Sequence, residues 1–205
     1  MEIERALGAD VIMAFDHCPP GQAERSLAEA ASQRTLEWLA RCRTRFDELQ
    51  REDPEGPQQA LFPVLQGGIH ADLRVDAARR TREIGDWHGM AIGGLSVGEP
   101  KPVMYETLDA VVPEMPGEIP RYLMGVGYPE DLVEAIGRGV DMFDCVAPTR
   151  NGRNGTVWVR DIGQMNIKAA PSGPTRNRST RAARATPAAA TPGRTCAICS
   201  SQGNG

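Results

Sequence analysis

The sequence predicts an α/β fold on a parallel sheet, of the (β/α)8 barrel type but with too few strands to close. Three observations predict it. Five short apolar runs alternate with stretches of helical spacing. The runs are apolar throughout rather than at every second residue, as strands covered on both faces must be. Each run ends in a polar residue or glycine: Asp16, Gln66, Gly93 with Gly94, Gly125 to Gly127, and Asp144. In a (β/α) barrel the C-terminal strand ends and the loops after them build the active site. A doubly wound open sheet shares this pattern, but no early glycine-rich phosphate fingerprint supports it.

The elements follow in order. Residues 11–15 form the first apolar run. Residues 23–49 place Leu27, Ala31, Trp38, Leu39 and Phe46 at helical spacing, and Asp-Pro-Glu-Gly-Pro at 53–57 breaks that helix. Residues 61–65 are the second strand, 70–84 a helix, 89–94 a tight buried strand, and 102–112 a helix. Residues 121–125 are the fourth strand, followed by a helix over 129–137 with proline in its first turn. Residues 142–146 are the fifth strand, and Thr-Val-Trp-Val-Arg at 156–160 reads as one arm of a hairpin. A closed barrel needs eight strands. The chain opens almost directly on a strand, so the first strands of a barrel are expected to be absent from it.

Composition narrows the class. The chain has 205 residues, 40% of them hydrophobic, enough for one domain with a sizeable core. No apolar run is long enough to span a bilayer, and no basic-then-apolar leader opens the sequence. Five cysteines (18, 42, 145, 196 and 199) are few and odd in number, which predicts a reduced, cytoplasmic protein. Charge is uneven. Of 23 basic residues five are arginines in the acid-free stretch 169–205, leaving 18 against 27 acidic residues in 1–168. An acidic body does not bind a polyanion through bulk charge, so nucleic-acid contact would need local clusters such as Arg150 with Arg153. The domain reading is a partial barrel over 1–168 and a basic, low-complexity tail over 169–205, expected to be disordered.

The segment with most chemical content is 141–155, Asp-Met-Phe-Asp-Cys-Val-Ala-Pro-Thr-Arg-Asn-Gly-Arg-Asn-Gly. Asp144 stands at the end of an apolar run. A loop with two arginines and two asparagines among glycines follows, suited to phosphates or base edges. A strand-end aspartate can equally cap a helix or pair with Arg150, and the Arg-Asn-Gly repeat can equally be a solvated turn. The cysteines 18 and 145 read as buried thiols, and His70 and His88 as surface or helix-terminal residues.

Six motifs then occur in register. They are Leu-Gly-Ala-Asp-Val-Ile-Met-Ala-Phe-Asp at 7–16, Leu-Gln-Gly-Gly at 65–68, Ile-Gly-Gly-Leu-Ser-Val-Gly-Glu-Pro at 92–100, Tyr-Leu-Met-Gly-Val-Gly at 122–127, Pro-Glu-Asp-Leu at 129–132 and the segment 141–155. Together they closely resemble the bacterial tRNA-guanine transglycosylases, base-exchange enzymes of the queuosine pathway. The resemblance covers roughly residues 1–168. It implies a transferase that exchanges guanine at the tRNA wobble position for a 7-deazaguanine. It implies Asp144 as the nucleophile, capturing the anomeric carbon as retaining glycosidases do. Asp16, Gln66 and Gly94 would hold the base, with Leu95 and Met124 lining its pocket. Gly125, Val126, Gly127, Tyr128, Pro129, Glu130 and Asp131, with Thr149, Arg150, Asn151, Gly152 and Arg153, match the segments that contact tRNA. Extruding a base from an anticodon loop costs less than from a duplex. His17 stands where the family usually has glutamate.

Two departures accompany the resemblance. No segment matches the family's Asp-Ser-Gly-Gly-Phe-Gln, whose aspartate is the proposed general acid/base. The family's structural zinc site, Cys-x-Cys-x-x-Cys…His, is expected to be lost. Cys196 and Cys199 have half the spacing. Back-translation in a shifted frame, however, lets residues 178–204 read, with permitted codons, as Leu-Asp-Pro-x-Cys-x-Cys-x-x-Cys-Arg-x-Tyr-Ser-Arg-Ala-Tyr-Leu-Arg-His-Leu-Phe-Lys-Ser-Gly-Glu. That predicts a frame shift near residues 169–171, no metal ligand in this tail, and no zinc-supported homodimer. The expectation is therefore a chain of this family without turnover of its own. The alternative is a non-catalytic product with at most weak tRNA binding.

Overall fold

The computed structural model describes residues 1–159 and 163–167. A short helix, α1 (Glu2–Leu7), comes first and is closed by Gly8 in the left-handed conformation. The sequence reading opened instead on a strand. Glu2 and Glu4 in the first turn favour the helix N-terminus, although α1 buries none of its residues. Next come β1 (Val11–Met13), α2 (Arg25–Glu52), β2 (Ala60–Phe62), β3 (Val64–Leu65), α3 (Ala71–Ile84), β4 (Met90–Ile92) and α4 (Lys101–Val111). They are followed by a 3-10 turn (Val112–Glu114), β5 (Arg121–Leu123), α5 (Pro129–Gly137) and β6 (Met142–Phe143). A helix α6 (Ala147–Asn154) and an antiparallel hairpin, β7 (Thr156–Val159) with β8 (Gly163–Asn166), complete the described chain.

Strands β2 and β3 are one apolar run split by Pro63, which has no N–H to give a ladder. The run remains continuous in pairing. Phe62 accepts from the Ala14 N–H at 2.9 Å on one side, and Pro63 accepts from the Ala91 N–H at 2.9 Å on the other. β1 therefore pairs with β2 and β3 with β4, then β4 with β5 and β5 with β6, all parallel. Strand order follows chain order with a helix between most neighbours, and the direction never reverses. A doubly wound sheet would reverse, so this is an arc of a (β/α)-type barrel.

Packing explains the wholly apolar strands. Met90, Ala91 and Ile92 are all fully buried, so both faces of β4 are covered. Leu61, Leu65 and Leu123 join them against Leu39 and Phe46 of α2, Ala78 of α3, Met104, Leu108 and Val111 of α4, and Ala135 of α5. The long helix α2 buries Ala28, Ala31, Thr35, Leu39, Cys42 and Phe46, steps of three and four that fix its core stripe. Leu27 lies off that stripe and is exposed, while Trp38 flanks it and meets Phe15 edge-on at 6.4 Å. Among the described residues no helix is long and apolar enough to cross a membrane.

Candidate functional site

The polar and glycine residues that end the strands all stand on one rim. Asp16 lies three residues past β1, Gln66 directly after β3, and Gly94 two residues past β4. Met124 and Gly125 follow β5, and Asp144 follows β6. Because the strands are parallel, these are five successive C-terminal ends. The opposite rim is different: a cavity of about 720 Å³ there is lined by Arg79, Arg82, Trp87 and Ile119. None of the expected site residues lines it.

Gln66 is the centre of the first cluster. Its side chain is 1% exposed, and its Nε2 donates to Asp16 Oδ2 at 2.7 Å. That bond fixes the amide's orientation, since the other rotamer would set two acceptors face to face. Gln66 Oε1 is buried and has no hydrogen-bond partner among the described residues. Gly94 lies against it. Its φ of +65° is left-handed, and a Cβ there would come 2.4 Å from Gln66 Oε1. Glycine is thus required twice over, by conformation and by contact. Leu95 is buried beside it at 2% exposure, and Met124 is half-buried. The loop after Leu95 is tied down by Glu99, whose carboxylate accepts from the Ser96 N–H and from the Val97 N–H at 3.0 Å.

Arg74 underlies this cluster, and the sequence reading passed over it. It is completely buried and has no carboxylate partner among the described residues. Instead Nε donates to Gly68 O at 2.8 Å, Nη1 to Leu65 O at 2.9 Å and Gly93 O at 2.7 Å, and Nη2 to Gly94 O at 3.2 Å. One guanidinium thereby pins the ends of β3 and β4 together. Burial pushes its pKa down to about 10, which leaves it cationic at neutral pH. A signal was available. Arg74, Ala77, Ala78 and Thr81 are the buried residues of α3, at steps of three, one and three. An arginine on that stripe must be buried with its donors satisfied.

Asp144 forms the second cluster. Its Oδ1 accepts from Tyr122 Oη at 2.7 Å and from the Gly125 N–H at 2.7 Å. Both donors come from β5 and its end. The residue is exposed, and Oδ2 has no protein partner among the described residues. Burial first, and the adjoining carboxylate second, push the Tyr122 phenol well above its ordinary range. It therefore stays a donor to Asp144 at any physiological pH.

The segment after Asp144 corrects the sequence reading. The strand ends at Phe143, Val146 is 61% exposed, and residues 147–154 are the helix α6 rather than a glycine loop. Pro148 in the first turn and Gly155 at φ +76° just past the last turn are strong start and stop signals. Thr149, Arg150, Gly152 and Arg153 are exposed, and Asn151 is half-buried. Across the rim, Gly125, Tyr128, Pro129 and Glu130 are exposed and Gly127 is half-buried. The side chains of Val126 and Asp131 turn inward, at 2% and 5% exposure. Asp131 accepts from Tyr105 Oη at 2.6 Å and pairs with Lys101 at 2.9 Å. Tyr128 packs edge-on against Trp158 at 5.9 Å, joining this segment to the hairpin.

The histidines and cysteines are placed as follows. His17 Nδ1 accepts from Arg34 at 2.8 Å, and His70 stands at the N-cap of α3. Contrary to the sequence reading, Cys18 is exposed and Cys145 only half-buried, because both lie on rim loops rather than in strands. Partial burial of the thiol, then the Asp16 charge, raise the Cys18 pKa. Among the described residues no group of three or more His, Cys, Asp or Glu could hold a metal ion. Cys196, Cys199 and the predicted disordered tail lie outside the described residues.

Fold and rim together define a parallel (β/α) protein whose strand ends carry a carboxylate–amide pair and a second, exposed carboxylate. Comparison with known families carries this further. The family described as queuine tRNA-ribosyltransferase matches residues 1–201. Over 170 residues, 83% of this chain, it is 54% identical to the queuine tRNA-ribosyltransferase of Pelotomaculum thermopropionicum. The corresponding figures are 52% for that of Desulforamulus reducens and 50% for that of Ruminiclostridium cellulolyticum, over the same share of the chain. The chain belongs to the queuine tRNA-ribosyltransferase family. It spans 43% of the length of each of these relatives.

Proposed function

We propose that this chain carries the base-holding and nucleophilic part of a tRNA base-exchange enzyme. The substrate would be a tRNA with guanine at the wobble position, and the incoming base a 7-deazaguanine. The observation that carries the reading is the asymmetric hold on Asp144: among the described residues, two donors on Oδ1 and none on Oδ2. An oxygen without a partner at a barrel rim is the form a carboxylate nucleophile takes.

In this reading Asp144 Oδ2 attacks C1′ of the wobble ribose. The C1′–N9 bond breaks, its electron pair leaves on guanine, and a ribosyl–Asp144 ester remains. The incoming base, deprotonated at N9, attacks the same carbon and releases the carboxylate. Asp16 accepts from the ring N–H and exocyclic amine of the base, and the Gly94 N–H meets its oxygen. The Gln66 amide spans the two. Arg150 and Arg153 on α6, with the exposed part of residues 125–130, face the anticodon loop. The N9 proton lost by the incoming base and the proton gained by the departing guanine both need a general acid/base, and no counterpart of the family's acid/base segment stands in these 205 residues. Sustained turnover by this chain alone is therefore not expected. Nor do we propose a zinc ligand or a zinc-supported dimer for it.

The test is a denaturing gel of the purified chain incubated with wobble-guanine tRNA and a 7-deazaguanine. A slow-migrating protein–tRNA band is expected, and it is expected to vanish in Asp144→Ala. An unchanged band in that variant would overturn Asp144 as nucleophile. No band from the wild-type chain would favour a non-catalytic tRNA binder. Robust incorporation of radiolabelled guanine into tRNA would refute the lack of turnover.

A further inference from the structure

We propose that Arg74 is a positioning residue that makes the Gly94 N–H a stronger donor to the base oxygen. This rests on the base-pocket reading above. The Gly93 carbonyl and the Gly94 N–H belong to one planar amide, so a cation at the oxygen draws density from the nitrogen and sharpens its donor. Arg74 Nη1 donates to that carbonyl at 2.7 Å, and Nη2 donates to Gly94 O, in the next amide, at 3.2 Å. The guanidinium is fully buried, so water does not screen it. Neither Gly94 N–H nor Leu95 N–H donates to a protein acceptor among the described residues. Both are left for a ligand.

The chemistry gives this arrangement a use. When the glycosidic bond breaks, the departing purine gains negative charge, and part of it resides on its exocyclic carbonyl oxygen. A donor backed by a buried cation is stronger for the leaving base than for the intact nucleoside. The same cation also holds Leu65 O and Gly68 O, on either side of Gln66. It thus fixes the distance between the amide of Gln66 and the N–H of Gly94 without touching the base.

The experiment compares the full chain with Arg74→Lys and Arg74→Gln. Two ligands are titrated calorimetrically: guanine, and 2-aminopurine, which lacks the carbonyl oxygen. The Gly94 amide ¹⁵N resonance is followed without ligand. Loss of the charged bond at the Gly93 carbonyl is expected to move that resonance upfield in Arg74→Gln, and less in Arg74→Lys. Guanine affinity is expected to fall about tenfold in Arg74→Gln, with partial rescue in Arg74→Lys, while 2-aminopurine binding changes far less. Equal losses for the two bases would reduce Arg74 to a structural role and overturn the proposal. An unmoved Gly94 resonance in a folded variant would overturn it as well, whatever the bases do. A wild-type chain that binds neither base would overturn the base-pocket reading, and with it the use proposed for Arg74.

Discussion

At the scale of single residues, the rim is held by hydrogen bonds between groups far apart in sequence. Tyr105 shows how such a bond is read through pH. Its phenol donates to Asp131 at 2.6 Å, and that carboxylate first, burial second, push it from 10.0 up to about 12. A phenol that holds its proton more tightly when folded contributes stability below pH 10. That contribution is lost as pH rises from about 10 to 12, where the unfolded chain ionises first. The midpoint of thermal unfolding should therefore fall over this window, and fall less in Tyr105→Phe. Equal alkaline slopes for the two proteins would sink the assignment. The same long-range character decided which parts of the candidate site were legible. Asp16, Gln66, Gly94 and Asp144 could be named as candidates because each lies in a motif that carries the family resemblance, at the end of an apolar run. The grip of Tyr122 on Asp144, and of Arg74 on four carbonyls, joins segments 6 to 22 residues apart and leaves no local pattern.

At the scale of elements, apolar runs and breakers placed every strand of the sheet and every long helix, with boundary shifts of a few residues. Two failures have physical causes. Helix α1 buries nothing, so no periodicity announces it. Helix α6 contains Gly152 and has an Arg-Asn-Gly repeat, a composition that reads as a loop until its proline start and glycine stop are weighed together. A pair of substitutions distinguishes helix from loop. Gly152 is helical with open space around it, so Gly152→Ala should stabilise the chain by about 0.5–1 kcal/mol. Gly155 sits at φ +76°, so Gly155→Ala should cost about 1 kcal/mol. Opposite signs in thermal unfolding, and opposite changes in amide exchange over 149–154, are expected. Gly152→Ala without a stabilising effect would mean that these residues do not hold a helix in solution.

At the scale of the whole molecule, the described sheet is an arc, and an arc has edges. A closed barrel pairs every strand on both sides. Here β1 pairs only with β2, and β6 only with β5, among the described residues. Strand order and direction were legible as a barrel arc because each apolar run is followed by its own crossover helix. The state of the edges depends on what pairs with them, which no motif in the chain specifies. The β1 side is the more exposed to consequences. Val11 is 39% exposed, Phe15 67%, and Ile3 and Leu7 of the neighbouring α1 more than 75%. Beside them lies a cavity of about 490 Å³ between Met1, Phe15, Trp38 and Cys42. An apolar strip next to unpaired strand groups is a template for another chain. The isolated protein should therefore associate in a concentration-dependent way, independently of any zinc-supported dimer. Val11→Lys combined with Ile3→Lys puts charge on that strip without entering the core, since neither residue is buried. Sedimentation velocity should show the association weakened in the double variant, with the unfolding midpoint little changed. A wild-type chain that stays monomeric at its highest soluble concentration would show that the open edge is already protected by the chain itself.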